Sequence, residues 1–474
     1  MKENKLISLM KQLDKRALTR LDALINSPYF NKKDAVSRYF DFLRQFHPSF
    51  ELAWKDDERA YSFVFPQSAY REKEIGYLMS DLVKLIERFL MVETLEQNPL
   101  MGKQFLMEIY DKWDLDKAFN KTLRDSHKIL EATPFRDHEF FHHSFQLYSR
   151  ENNHFDKQKK HKMDDSLQKA IDNLDLYYVC LKLKYCCEMM NRENQVVATY
   201  DIKLMDELMT YLENDPIAEE PAIAIYYHIL LSLRDKSNVA YYKKVCELLE
   251  AHSHLFSFDE ARGMFLYVIN HCVVKIHMGE NEFLGDLLSH YKLILDKGYV
   301  FDNGYLSPWT FMNITTAGIR NSAFEWTERF IRDYRKFLHP RFEGNAYNFN
   351  LAYLFFNQKK YQKAQELLFK VESHDIFYTC ESKELLLRIY YMTEELEAFF
   401  SLAESFQVFI RRNKLIRSQK KDLYLNLIKF LRRLCKITGG NKSSLERLKT
   451  DVEATPRVSK KGWLIMQLND RLGN

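Results

Sequence analysis

The feature that most constrains the fold of this chain is a recurrence of helical segments in its second half. From residue 221 onward, apolar positions follow helical spacing in paired segments. The second segment of each pair is predicted to begin near Asn238, Asn281, Asn321, Lys360 and Glu394. These starts lie 43, 40, 39 and 34 residues apart, a range typical of helical-repeat proteins. Because one pair cannot bury its apolar face alone, we expect neighbouring pairs to stack on a common core.

Glycine and proline are scarce, at 13 and 10 of 474 residues. Sheets and turns depend on these residues, so their scarcity predicts an all-α chain with short connections. One helix is predicted at 2–25, ending before Pro28, because the residue before a proline is pushed away from the α region. The predicted parts of the chain are an N-terminal helical unit at 1–95, a helical region at 96–215 and a helical-repeat array at 221–474.

Residues 345–378 carry a more specific pattern. The first helix holds a bulky residue, a small residue and an aromatic, and the second holds an aromatic, a small residue and a bulky one: Leu351, Ala352, Phe355, Tyr361, Ala364 and Leu368. The two alanines allow the helices to approach closely while the larger side chains fill the groove. A second copy placed 34 residues further on keeps Ala398 in register with Ala364.

This pattern resembles the tetratricopeptide-repeat (TPR) family, most clearly over residues 345–412. The resemblance implies a right-handed solenoid of antiparallel helix pairs with a concave inner face. In the TPR register the residues expected on that face are Phe349, Tyr353, Phe356, Lys383, Leu387, Tyr390 and Tyr391. Such a surface suits an extended or helical partner segment with aromatic or aliphatic anchors. The alternative is that neighbouring helices cover these aromatic rings.

The same resemblance bears on the class of partner. Some TPR proteins hold a carboxylate with paired Lys and Asn side chains on the inner face. Tyr353 occupies one of those Asn positions in this chain. A carboxylate-clamp partner is therefore disfavoured, and an unidentified protein or peptide partner is expected.

Positive charge is concentrated in residues 411–436. This segment holds ten Lys and Arg residues against one acid, a local net charge of +9, whereas the whole chain carries +4. The basic face of the predicted helix consists of Lys429, Arg432, Arg433 and Lys436. It indicates either a patch for nucleic acid or an anionic surface, or the solvated face of a repeat helix whose leucine stripe is core.

One string has the form of a catalytic metal motif. His138, Glu139 and His142 form HExxH, which on a helix places two zinc ligands on one face with a general base between them. A third ligand is missing, since Tyr148 stands where the metzincin pattern has His, and His161 stands where an aminopeptidase pattern has Glu. The favoured interpretation is a helix whose histidines face water or pack against neighbouring rings.

The remaining sequence features predict neither a cofactor nor catalytic chemistry. The seven cysteines form no CxxC pair and indicate reduced thiols, and neither a signal peptide nor a membrane span is predicted. We therefore expect a cytoplasmic, non-catalytic scaffold that binds a protein partner through the concave face of its repeats. The alternative is nucleic-acid or anionic-surface binding through 411–436, and a remote alternative is a zinc hydrolase at 138–142.

Overall fold

The computed structural model describes residues 4–50, 57–158, 164–195, 199–372, 375–437 and 441–473. Over these residues the chain forms 23 α-helices, three short 3-10 segments and one hairpin of two-residue strands. The predicted all-α fold is confirmed. The chain forms two compact units, Met1–Val179 and Cys180–Asn474. The boundary between them falls inside a helix, and the three-part division predicted above stays a prediction.

The first unit contains eight helices and the start of a ninth. They are α1 (Lys5–Lys11), α2 (Lys15–Ile25), α3 (Asp34–Arg44), α4 (Asp57–Val64), α5 (Glu72–Gln97), α6 (Pro99–Lys112), α7 (Asp116–Glu131), α8 (His138–Lys157) and α9 (Ser166–Gln195), within which the boundary lies. Buried side chains of α1 to α5 form one apolar cluster, which extends from Leu6 to Phe89. A second cluster joins α6, α7 and α8 through residues such as Met107 and Leu147.

Within the segment 2–25, predicted as one helix, the described residues form two helices. The helix α1 ends at Lys11, and Asp14 then accepts a hydrogen bond from the backbone N–H of Ala17 at 2.7 Å. An aspartate in this position caps a new helix, because it satisfies one of the donors that the first turn leaves free. The leucine periodicity continues through the break, which is why spacing alone did not reveal it.

The second unit consists of helices that pack in successive pairs. They are α10 (Met205–Asn214), α11 (Pro221–Arg234), α12 (Val239–His252), α13 (Phe258–His277), α14 (Phe283–Asp296), α15 (Pro308–Arg320), α16 (Phe324–Tyr334), α17 (Pro340–Asn357), α18 (Tyr361–Leu368), α19 (Ile376–Met392), α20 (Leu396–Arg412), α21 (Ser418–Lys436), α22 (Lys442–Ala454) and α23 (Lys461–Leu472). The strands β1 (Phe301–Asp302) and β2 (Tyr305–Leu306) pair antiparallel between α14 and α15. From α11 to α20, each odd-numbered helix packs closely on the helix that follows it.

The same backbone turn joins four of these pairs. The second residue after the first helix has a positive φ: 97° at Gly279, 57° at Ser322, 61° at Lys359 and 58° at Glu394. The next N–H then donates to the carbonyl five residues earlier, at 2.9 to 3.1 Å. This is the Schellman closure, which satisfies the last carbonyls of a helix. Its recurrence shows that these helix pairs share one turn geometry.

The recurrent turn also fixes the register between the two clearest pairs. Lys360 is the N-cap of α18 and Glu395 is the N-cap of α20, so the structural interval is 35 residues. The interval of 34 residues inferred from the sequence makes Ala398 the equivalent of Ala364. The structural equivalent of Ala364 is Phe399, which is fully buried, whereas Ala398 is half-buried. One residue matters because it turns a helical position by about 100°.

The turn before α18 gives a testable prediction. Lys359 has a left-handed backbone conformation, which costs an L-residue roughly 1 kcal/mol. Glycine avoids this cost, but part of the gain is lost because glycine has more conformational entropy in the unfolded chain. Lys359→Gly should therefore raise the free energy of unfolding by about 0.5 kcal/mol, measured by urea denaturation. The control is Lys363→Gly, at an exposed helical position of α18, which should lower it by about 1 kcal/mol. Equal losses at both positions would contradict the left-handed turn.

Candidate partner-binding site

The seven residues predicted to form the groove lie on two helices that pack together, α17 and α19. Four of them are buried within the chain: Phe349, Phe356, Leu387 and Tyr390. Three are half-buried: Tyr353, Lys383 and Tyr391. The helices that should carry the groove are therefore in contact, and much of their aromatic surface is already covered.

A buried ion pair lies on α19 at the positions equivalent to Phe349 and Tyr353. The 35-residue interval places Glu384 and Arg388 there. Arg388 Nε lies 2.7 Å from Glu384 Oε1, and the two side chains are only 4% and 1% exposed. Burial raises the pKa of Glu384, and the positive charges of Arg388 and Lys460 act in the opposite direction. Because charged residues are almost never fully buried without a partner, each of the two depends on the other.

The C-terminal helix α23 lies over this face. The ring of Trp463 is 6.4 Å from the ring of Phe356 and 5.9 Å from the ring of Tyr391, to which it is nearly perpendicular. The guanidinium of Arg388 lies 4.7 Å from the centre of the Phe356 ring and 5.3 Å from that of the Trp463 ring. Arg388 thus makes cation–π contacts with α17 and α23 while it pairs with Glu384.

Lys460 brings a positive charge to the same face. It immediately precedes α23 with a φ of 50°, and its Nζ is 3.8 Å from Glu381 Oε2 and 5.7 Å from the centre of the Tyr353 ring. The other oxygen of Glu381 accepts a hydrogen bond from the hydroxyl of Tyr424 at 2.7 Å. Burial lowers the pKa of Lys460, but Glu384 and Glu381 outweigh it and the pKa is raised.

The rest of the C-terminal segment is held by α22, on which α23 packs most closely, and by α21. The backbone N–H of Ser459 donates to Leu423 O at 3.0 Å. The guanidinium of Arg471 donates to Leu434 O at 2.8 Å and to Ile437 O at 2.6 Å, at the end of α21. A basic side chain suits this position because the last carbonyls of a helix have no partner within the helix. These bonds join both ends of α23 to α21.

Four residues of this site do not follow from the repeat pattern, for two reasons. Glu384 and Arg388 were missed because the interval of 34 residues selected their neighbours Lys383 and Leu387. A usable signal was present: the two opposite charges stand four residues apart around an apolar run, Leu385–Leu387. Lys460 and Trp463 lie about 70 to 110 residues from the side chains they contact, so no local pattern could have placed them there.

The predicted basic face divides into two parts. Lys429 and Lys436 are exposed. Arg432 donates to Gln407 Oε1 at 3.3 Å, and Arg433 forms an ion pair of 2.7 Å with Asp451. The leucine stripe of α21 is core, with its central members Leu427, Leu431 and Leu434 buried. Two of the four predicted basic residues therefore point to solvent and two bind within the chain.

The HExxH residues lie in the first turns of α8. His138 Nε2 is 3.5 Å from Glu139 Oε1. The ring of His142 stacks on Tyr177 with centres 4.7 Å apart, and burial lowers the pKa of His142. His161 lies outside the described residues. Among the residues that the structure describes, no group of three or more His, Cys, Asp and Glu side chains is arranged to hold a metal ion.

A small cavity of about 170 Å³ lies among α11, α12 and α13. His271 and Tyr242 stack on its wall with ring centres 4.5 Å apart, and His271 Nδ1 is 3.1 Å from Ser232 Oγ. The hydroxyl of Tyr242 lies 2.8 Å from His290 Nε2 and 3.2 Å from Asp286 Oδ2. These bonds tie α11, α12, α13 and α14 together through uncharged groups and one carboxylate.

We expect His271, in the wall of this cavity, to make the protein less stable in acid. Burial, with the nearby charge of Lys275, lowers the pKa of His271 from 6.5 to about 4. The unfolded chain therefore binds a proton that the folded chain rejects, and stability present above pH 6.5 is lost as the pH falls towards 4. His271→Gln should reduce the difference in unfolding free energy between pH 7.5 and 5 by about 1 kcal/mol, allowing for partial exposure. An unchanged difference in urea denaturation would contradict this assignment.

The candidate site is thus a face of α17 and α19 on which aromatic rings surround a buried ion pair, with α23 laid over it. No helix in the described part of the chain combines the length and apolar character needed to cross a membrane. No protein-family model matches this chain, and no curated protein sequence matches it either.

Proposed function

We propose that this protein is a non-catalytic scaffold that binds a protein partner through the face of α17 and α19. The observation that carries the proposal is that this face already accommodates a helix, with Trp463 of α23 between Phe356 and Tyr391. A face that receives one amphipathic helix has the shape and chemistry to receive another. The recurrent turn supports the finer proposal that residues 221–474 form a TPR-like solenoid of antiparallel pairs with this face inside.

The chemistry of the face suits protein recognition. Aromatic rings and arginine are the side chains that most often dominate the binding energy of protein interfaces. Tyr353, Lys383 and Tyr391 are half-buried and so keep surface that a partner can cover. The aromatic rings favour an apolar interaction that persists at high salt, unlike binding driven by surface charge.

The test is affinity purification of the tagged chain from its native cells at low and high salt, with nuclease treatment. A defined protein partner should remain bound at high salt and be lost from the double variant Tyr353→Ala and Lys383→Ala. The matched control is Tyr305→Ala, an exposed aromatic on β2, which should retain the partner. A partner recovered equally by the double variant would place the binding surface elsewhere.

The alternative function is binding of nucleic acid or an anionic surface through α21. It is supported by the exposure of Lys429 and Lys436. Binding of this kind weakens steeply with salt, because it is driven by the release of counterions. Recovery of nucleic acid at low salt alone, abolished by Lys429→Glu with Lys436→Glu, would establish the alternative and remove the first proposal.

A further inference from the structure

We infer that the face of α17 and α19 is an exchangeable helix-binding surface, with α23 as its resident occupant, and that it selects a partner helix carrying a lysine and, three residues later, a tryptophan. The inference rests on the proposed function and deepens it by naming the chemistry of the partner. In the chain itself the two selected residues are Lys460, the N-cap that precedes α23 with a φ of 50°, and Trp463 in the first turn of α23.

The lysine is selected by an acidic pair on α19. Lys460 Nζ lies 3.8 Å from Glu381, and Glu384 is the larger of the two acidic contributions to its raised pKa. The ring of Tyr353 supports the ammonium from α17 at 5.7 Å. A lysine has the reach for this position, because its apolar stem lies along a ring while its charge meets the carboxylates.

The tryptophan is selected by two rings and a cation. Phe356 lies 6.4 Å and Tyr391 5.9 Å from the Trp463 ring, and the Arg388 guanidinium lies 5.3 Å from its centre. Tryptophan has the most favourable ring face for such a cation and the largest apolar area. Because the lysine is the N-cap and the tryptophan lies in the first turn of the same helix, the start of a single partner helix can supply both contacts.

The contacts that hold α23 to this face are weaker than those that hold it to α21. Towards α17 and α19 they are ring pairs and an ion pair in which Lys460 is still 36% exposed. An ion pair with this much exposure contributes little to stability. Towards α21, Ser459 and Arg471 form direct hydrogen bonds with backbone carbonyls. The face can therefore be vacated while α23 keeps its packing on α22 and its bonds to α21.

An attached occupant competes strongly with any free partner. A tethered segment acts at an effective concentration in the millimolar range, so a free helix of equal intrinsic affinity binds the intact chain weakly. Weakening the resident contact should therefore strengthen binding of the free helix. This inverse relation is what separates an exchangeable occupant from a fixed structural helix.

The experiment uses the full chain and a labelled peptide of residues 456–473, PRVSKKGWLIMQLNDRLG, followed by fluorescence anisotropy. The Trp463→Ala chain should bind the peptide at least tenfold more tightly than the wild-type chain. The matched control is Met466→Ala, on the same helix at a side chain 50% exposed, which should bind like wild type. A peptide altered at both the lysine and tryptophan positions, Lys460→Ala and Trp463→Ala, should lose at least tenfold in affinity for the Trp463→Ala chain.

A second measurement needs no substitution in the chain. Millimolar peptide should increase amide hydrogen exchange at residues 464–467 of the wild-type protein, because the start of α23 loses its contact with the face while the rest of the helix stays packed. No peptide binding by the Trp463→Ala chain, together with unchanged exchange in wild type, would overturn the inference. Equal binding of the altered peptide would overturn the proposed lysine and tryptophan selection.

These outcomes are distinct from failure of the proposed function. A protein partner recovered equally from cells by the wild-type and Trp463→Ala chains would support a scaffold and overturn exchange at this face. If the peptide binds and exchanges as expected but no partner is recovered from cells, the exchangeable surface is supported. The proposed function then fails on its own test.

Discussion

Replacing Arg388 by methionine should lower the free energy of unfolding by about 3–5 kcal/mol at pH 7. The substitution leaves Glu384 almost wholly buried without the guanidinium that lies 2.7 Å from it. It also removes the cation between the Phe356 and Trp463 rings. Methionine is close to arginine in length and apolar, so the expected loss comes from the stranded carboxylate and not from a large cavity. Urea denaturation of the full chain measures it.

Two controls separate the effect of burial from that of the ion pair itself. Arg332 pairs with Glu328 at 2.7 Å with the same four-residue spacing on α16, but the two side chains are 52% and 31% exposed. Arg332→Met should therefore cost less than about 0.5 kcal/mol. The double variant Glu384→Leu with Arg388→Met should come within about 1 kcal/mol of wild type, because no charge is left buried. Equal losses in the single and double variants would show that the charges are not the cause.

The loss in Arg388→Met should also depend on pH. Burial already raises the pKa of Glu384 above its ordinary value of 4.5, and removing Arg388 takes away a charge that lowers it. The folded variant therefore binds a proton that the unfolded chain releases, so its stability falls as the pH rises above 4.5. Relative to wild type, the variant should be closer in stability at pH 5 than at pH 7.5. An equal loss of stability at both pH values would mean that the pKa of Glu384 is the same in the folded and the unfolded variant.

The all-α fold could be predicted because its causes are local. Apolar residues at helical spacing and the scarcity of glycine and proline act within a few turns of chain. Ala352 and Ala364, chosen for close approach between paired helices, are both fully buried. The break in the segment 2–25 shows the limit of this argument, since a single capping residue, Asp14, ends the continuity of an otherwise regular pattern.

The seven predicted groove residues lie on two helices that pack together, α17 and α19, and their role in binding a partner stays a prediction. The turns at Lys359 and Glu394 set the interval at 35 residues through their backbone conformation, which leaves little trace in residue type. A lysine and a glutamate occupy positions where glycine is the common choice. The covering by Trp463 is a tertiary contact, and the spacing within α17 and α19 carries no information about it.

Replacing Gly318 by alanine should lower the free energy of unfolding by about 3 kcal/mol, at the upper end of the usual cost of overpacking. A Cβ at Gly318 of α15 would overlap Thr327 Oγ1 of α16 and lie 3.3 Å from Trp326 Cζ3. Thr327 is fully buried and its hydroxyl donates to Ala323 O at 2.8 Å, so it cannot turn away without losing that bond. Urea denaturation measures the change.

The chain supplies a matched control and a means of rescue. Gly263 lies in α13 with no atom within 4 Å of an added Cβ, so Gly263→Ala should stabilise the protein by about 0.5–1 kcal/mol. Adding Thr327→Ala to Gly318→Ala removes the obstructing hydroxyl and should recover part of the loss. Because Ser322 and Lys359 hold the same place in the recurrent turn, Gly318 stands where α17 has Phe355, and this small residue allows the close contact between α15 and α16. A neutral Gly318→Ala would mean that the two helices approach less closely and that the turn alone holds the pair.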